Sequence, residues 1–481
     1  MELDSEIVKQ NERREQFRKG VLSIIGASLI NLIYPSAFAM CTLVVYQTSY
    51  IKNSGGNVKI NYTMFYYPVL LFFQSIFGLI AGVIYSRIEV HWSNFLGTVL
   101  LILAAFIMYI SKYFIMDMIS MAVYGIAIAV IMFPATTNAC KYFMNHIGLV
   151  NGIVETAISL GSSLFAFIGE EVINPREVPS RNSDSFYDDQ IASKFKIFLL
   201  IQMACYFGTF IICLFLIKRY NENNLTLNDA QPFLSTTPDN KEKVITNNEI
   251  KTKDYSKRRQ KLIKALKSWT FWRYNLISLS QSPISDMVFA MYRGIGESKH
   301  RDTGVLQLIG TLTFIIEFIL SFVFGVLCDY VNFKILLFSM NIIGTVVGFT
   351  YCLTFNSDFF FALATLAISV QSAAYYSLKD YHIMKVFGTD IYTDLSGFVC
   401  LLTGIVVIIL TFITFLVVDN LSNKDTAYWI MFTIFGAFNG FGVILGFFEE
   451  DEPFDFGDEE KEKEKEVEAE NSKDNEIKEQ K

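Results

Sequence analysis

Twelve apolar stretches, six on either side of a long charged segment, restrict this chain to a helical membrane fold. They fall at about 21–47, 64–86, 95–111, 115–138, 148–169, 194–217, 269–292, 304–327, 333–355, 358–378, 395–418 and 426–448. A helix needs roughly 20 apolar residues to cross a bilayer. Within lipid every backbone polar group must be satisfied inside its own segment or a closed barrel. Only 18% of residues are charged, against roughly 25% in soluble domains. The sequence therefore predicts an all-α membrane protein: twelve transmembrane helices in two pseudo-symmetric six-helix bundles.

The polar segments set the boundaries. Residues 1–20 read as a cytosolic tail, 21–218 as the first bundle, 219–267 as a cytosolic linker, 268–448 as the second bundle and 449–481 as an acidic, disordered cytosolic tail. That last tail carries a net charge of −10, so the rest of the chain sums to +3. Arg13, Arg14, Arg18 and Lys19 precede the first span, and Lys257-Arg258-Arg259-Gln260-Lys261 closes the linker, where 257–267 could form a short amphipathic helix. Arg87, Lys141, Lys334, Lys379 and Lys385 fall on the same side in this count. Positive loops stay in the cytosol, so both termini are expected there, in the plasma membrane or an organelle membrane. No cleavable signal is visible.

Seven cysteines lie in or beside the spans without C-x-x-C spacing, and four histidines do not cluster. The cysteines read as small buried apolar residues. No metal, cofactor, nucleic acid or enzymatic constellation is expected, and a monomer is.

Three stretches go beyond hydropathy. Tyr124-Gly125 leads through Pro134 to Lys141-Tyr142-Phe143 and then Gly148-Leu149-Val150-Asn151-Gly152-Ile153 and Leu160-Gly161. Tyr292-Arg293-Gly294-Ile295-Gly296 is followed by Gly310 and Gly325-x-x-x-Asp329; Phe387-Gly388 leads into span eleven. These stretches resemble the major facilitator superfamily, specifically its oxalate/formate-antiporter and monocarboxylate-transporter branch. The resemblance covers about residues 21–448 and implies a secondary carrier working by alternating access. It also implies that Gly82, Arg87, Gly325, Asp329 and Lys334 form a conformational switch, by pairing across cytoplasmic helix ends. Ser86 weakens the first half's copy of that motif.

The chain departs from this branch where substrate is held. Ser321 stands at the arginine position of span eight, Glu317 at the proton-linked aspartate position, and Met121 where many facilitators carry an arginine. The usual carboxylate clamp is therefore missing.

Candidate site residues follow from polarity inside spans. An ionised Glu317 at mid-span costs about 2.5–3.5 kcal/mol on insertion scales, so it needs a proton, a partner or the central cavity. Glu155 shares a helix face with Gly152, Ser159 and Ser163 and could approach Glu317. Asp286 lies beyond Gln281 and Pro283, whose ring kinks a helix. Asn31, Tyr34, Gln371 and Tyr375 complete the set. Each has a plainer reading, as a helix–helix contact. The expected function is uniport or proton symport of a small organic solute, monocarboxylate-like or amino-acid-like. The alternative is a receptor or scaffold that keeps the fold without turnover.

Overall fold

The computed structural model describes residues 2–87, 90–143, 146–176, 178, 186–219, 258–299, 301–388, 391–421, 423–448 and 454. The described residues are helical apart from turns, short loops and one bridge residue at Phe186. Helices α1 (Glu2–Ile33) and α2 (Ser36–Asn53) make the first span together, broken at Tyr34-Pro35. Proline disfavours helical geometry in the residue before it, which explains the break. The first half continues with α3 (Tyr66–Arg87), α4 (Val90–Ile110), α5 (Phe114–Lys141), α6 (Ile147–Ile173) and α7 (Phe195–Leu216). The second half comprises α8 (Trp269–Ser298), α9 (Thr303–Tyr330), α10 (Phe333–Thr350), α11 (Asp358–Phe387), α12 (Tyr392–Asn420) and α13 (Lys424–Phe447).

Eleven described segments are long and apolar enough to cross a membrane. The twelfth span, α8, has the length but buries Arg273, Asn275, Ser280, Gln281, Ser282 and Asp286. Its polarity faces protein, while Phe215, Phe359 and Phe412 lie exposed on other helices, as lipid contact requires. The chain is a multi-pass membrane protein. With twelve spans, the start of α1 and the end of α13 lie on one side; we call this the linker end and its opposite the far end.

The halves meet along two seams, α3 against α12 and α6 against α9. The region 258–267 is helical, as its sequence suggests, and docks onto the bundle: Ala265 is buried and Arg258 donates to Asp394 at 2.7 Å in the first turn of α12. No disulfide joins the six cysteines whose side chains are described. The acidic tail lies outside the described residues except Phe454, whose N–H donates to Val386 O at 2.8 Å.

Candidate functional site

A central cavity of about 200 Å³ opens between the halves. Phe38 and Thr42 of α2, Tyr67 and Gln74 of α3, and Glu155, Ser159 and Ser162 of α6 line it from the first half. From the second half come Ser282 and Asp286 (α8), Thr313 and Glu317 (α9), Ser372, Tyr375, Tyr376, Lys379 and Asp380 (α11), and Tyr392 and Cys400 (α12). Of the residues singled out in sequence, Glu155, Glu317, Asp286 and Tyr375 therefore reach the cavity together.

Four others do not line it. Tyr34 donates to Asn94 Oδ1 at 3.2 Å and pairs with Thr98 Oγ1 at 2.8 Å inside the first half. Asn31 reaches Val154 O at 3.4 Å. Gln371 is fully buried against Gly344, whose added Cβ would meet Gln371 Oε1 and Asn439 Nδ2. Gln281 is buried beside the cavity-facing Ser282 but is turned away from the lining. Asn31, Tyr34 and Gln371 make these contacts within one bundle. On α6 the cavity takes Ser162 in place of the expected Ser163.

The carboxyl groups form two clusters, not the anticipated Glu155–Glu317 pair. Glu317 has Ser372 as a hydrogen-bond partner and Asp286 as its acidic neighbour. Asp286 accepts from Ser282 Oγ at 2.5 Å and from Tyr67 Oη at 3.4 Å. Glu155 instead lies within electrostatic reach of Asp380 and Lys379. Lys379 Nζ is 3.8 Å from Asp380 Oδ1, donates to Cys400 Sγ at 3.6 Å, and lies 5.7 Å from the Tyr376 ring centroid. Ser396 Oγ donates to the Asp380 carboxylate at 3.2 Å.

Lys379 corrects the expectation of a cavity without a cation. The apolar stretch ends at residue 378, so the lysine reads as a loop cation. The helix in fact runs on to Phe387, stopped by Gly388 at φ 85°, which buries Lys379 to 6% exposure. The lysine-and-glycine ending of that stretch, Lys385-Val386-Phe387-Gly388, was the available signal for a longer helix.

Both ends of the cavity are bridged, by different means. At the linker end the helices touch through backbone: a Cβ added at Gly325 would lie 2.5 Å from Gly152 Cα. Gly78 and Gly397 make the same kind of contact between α3 and α12. At the far end the bridges are side chains. Glu170 accepts from Tyr46 Oη at 2.6 Å and from Arg293 Nη1 at 3.3 Å, and Lys59 lies 4.0 Å from Asp419.

Asp329 crosses the seam to a helix terminus, and no cation pairs with it among the described residues. Its Oδ2 accepts from Leu149 N at 3.1 Å, satisfying an orphan donor and favouring the positive end of α6. Lys334 lies 5.2 Å from the Phe447 ring centroid and its backbone N–H donates to Asn332 Oδ1, so of the expected pairing across helix ends no Asp329–Lys334 contact forms among the described residues. The side chains of Gly82 and Arg87 fall outside the described residues. Removing a cap costs about 0.5–2 kcal/mol, so Asp329→Ala should open the linker end several-fold more often. Spin-label distances between α6 and α9 in the purified protein check this; an unchanged distance distribution would remove Asp329 from the latch.

Residues 276–476 match the family described as Major Facilitator Superfamily. Solved carriers match across nearly the whole chain. The proton:xylose symporter XylE bound to 6-bromo-6-deoxy-D-glucose aligns at TM-score 0.61 and 13% identity, covering 91% of this chain and 97% of that one. The fold is that of the major facilitator superfamily. The human organic anion transporter TETRAN aligns at TM-score 0.59 and 10% identity, over 90% and 99% of the two chains. The E. coli fucose:proton symporter FucP aligns at TM-score 0.56 and 16% identity, over 89% and 98%. No curated protein matches the chain in sequence. In facilitator terms, α3–α12 and α6–α9 are the seams between the two halves, and the cavity lies between them.

Proposed function

We propose that this chain is a secondary transporter of a small organic solute, working by alternating access with both termini in the cytosol. The observation that carries this reading is one cavity, lined by both halves and bridged at each end by separable contacts. Alternating access needs two gates around a fixed site. A receptor or scaffold needs a site but no second gate, so the paired bridges favour the carrier. The motif resemblance to the oxalate/formate and monocarboxylate branch supports the same mechanism. The substrate sites of that branch transfer poorly, because Ser321 and Glu317 stand at its key positions.

We assign proton coupling to Glu317. A carboxyl group in the cavity can take up or release a proton at each aqueous face in turn, and its neighbours Ser372 and Asp286 offer no fixed cation to hold it ionised. Glu317→Gln should abolish acceleration of net uptake by a proton gradient while leaving exchange at equilibrium. Proteoliposome uptake over a panel of amines, amino acids, monocarboxylates and sugars, with and without the gradient, checks both claims. Full gradient dependence in the variant would move the proton site elsewhere; no uptake of any solute would favour the receptor.

A further inference from the structure

The central cavity has two poles. Ser372 and Lys379 lie seven residues apart on α11, so the poles are separated by roughly 10 Å along the helix. At the pole toward the linker end, Lys379 already has Asp380 at 3.8 Å and Glu155 within reach. At the mid-depth pole, Asp286 and Glu317 face each other's charge. Thr313, one turn from Glu317 on α9, lines the same pole at 3% exposure, and its Oγ1 has no hydrogen-bond partner among the described residues.

We infer that this mid-depth pole binds the primary ammonium group of a small organic amine. The inference rests on the transporter reading above and names its substrate class. A primary ammonium carries three donors and no acceptor. Asp286, Glu317 and the Thr313 hydroxyl supply three acceptor groups from two helices, and the hydroxyl is otherwise unused. Lys379 acts on Asp286 only as the weakest of its influences and is absent from those on Glu317, so two ionised carboxyl groups here are costly. A bound ammonium offsets that cost for both, and Glu317 gives up its proton as the amine binds. Charge-assisted bonds of this kind are the stronger ones.

The opposite charge fits poorly. Lys379 is the one cation among the cavity-lining residues described, and a solute carboxylate would have to draw it from two acids. The walls suit the organic part of an amine: Tyr67, which donates to Asp286, lines the cavity with Phe289, Phe314 and Tyr376, and aromatic faces attract cations. The cavity volume of about 200 Å³ falls below the roughly 300–1,000 Å³ of sites for drug-sized ligands, so the solute is small.

The probes are phenethylamine, its neutral isostere 2-phenylethanol, the anion 3-phenylpropionate, and the N,N,N-trimethyl derivative, which keeps the charge without N–H donors. Thermal stabilisation of the purified full-length protein reads binding, and proteoliposome counterflow reads transport. Phenethylamine should act at concentrations about tenfold or more below the other three. Thr313→Val should weaken it about threefold to tenfold, Thr313→Ser should restore it, and Asp286→Asn should weaken it at least as much. The Thr313 pair is close to isosteric, so the comparison holds even if Asp286→Asn fails to fold. Stronger action by 3-phenylpropionate overturns the ammonium site while leaving the transporter reading intact. Equal action by the trimethyl derivative, or a Thr313→Val protein that binds like the parent, overturns the three-acceptor geometry. If neither these probes nor amino acids, monocarboxylates or sugars are taken up, the transporter reading itself fails.

Discussion

Gly325→Val should reduce transport to background while the protein still inserts and folds. The linker-end gate is closed by backbone against backbone. A Cβ at Gly325 would lie 2.5 Å from Gly152 Cα and 2.9 Å from Gly148 O, and backbone atoms, unlike the end of a flexible side chain, have no rotamer by which to yield. Overpacking costs about 1–3 kcal/mol where neighbours can relax, and this seam offers little room to relax. A bias of about 3 kcal/mol against the closed gate moves a two-state equilibrium roughly a hundredfold. The protein should then rest with its linker end open. Cys400 lines the cavity, so it should react faster with a polar maleimide in the variant than in the parent. Gly208 on α7, where an added Cβ meets nothing within 4 Å, is the control: Gly208→Val should transport normally. Parental transport by Gly325→Val would mean that the gate closes elsewhere.

The architecture was legible because lipid allows so few solutions. Apolar stretches of the right length, separated by charge, fixed the number of spans even where α8 was too polar to qualify by hydropathy alone. The seams were legible in part, through glycines whose spacing on α6 and α9 matched a helix contact. Which polar residue faces which interior was not legible. A facilitator half has an interior of its own, and a polar side chain can point into that interior or into the cavity. Asn31 and Tyr34 lie before the break at Pro35, whereas the cavity takes Phe38 and Thr42 after it. The break interrupts the helical register that would otherwise carry one face through the span. Thr313 carried no signal in sequence, because a threonine in an apolar helix commonly bonds its own backbone. Its importance comes from an unused hydroxyl beside Glu317, which only the packing reveals.

The same distinction makes Lys379 the residue whose loss should be most damaging to the folded protein. Hydropathy put it outside the membrane, yet it is buried beside Asp380 and within reach of Glu155. Removing one partner of a buried ion pair costs about 3–5 kcal/mol, because the remaining charge is left without compensation. Lys379→Met keeps the length and apolar stem of the side chain while deleting the charge, so it isolates that effect. The variant should unfold at a clearly lower temperature in detergent and lose uptake. Replacing both partners by neutral residues of similar shape is often nearly neutral for stability. The double variant Lys379→Met, Asp380→Asn should therefore regain most of the parental thermal midpoint. Its uptake should recover less, since Glu155 still faces the altered pole without its cation. A double variant as unstable as the single one would show that Lys379 acts through its contacts with Tyr375, Tyr376 and Cys400, and not through the Asp380 charge.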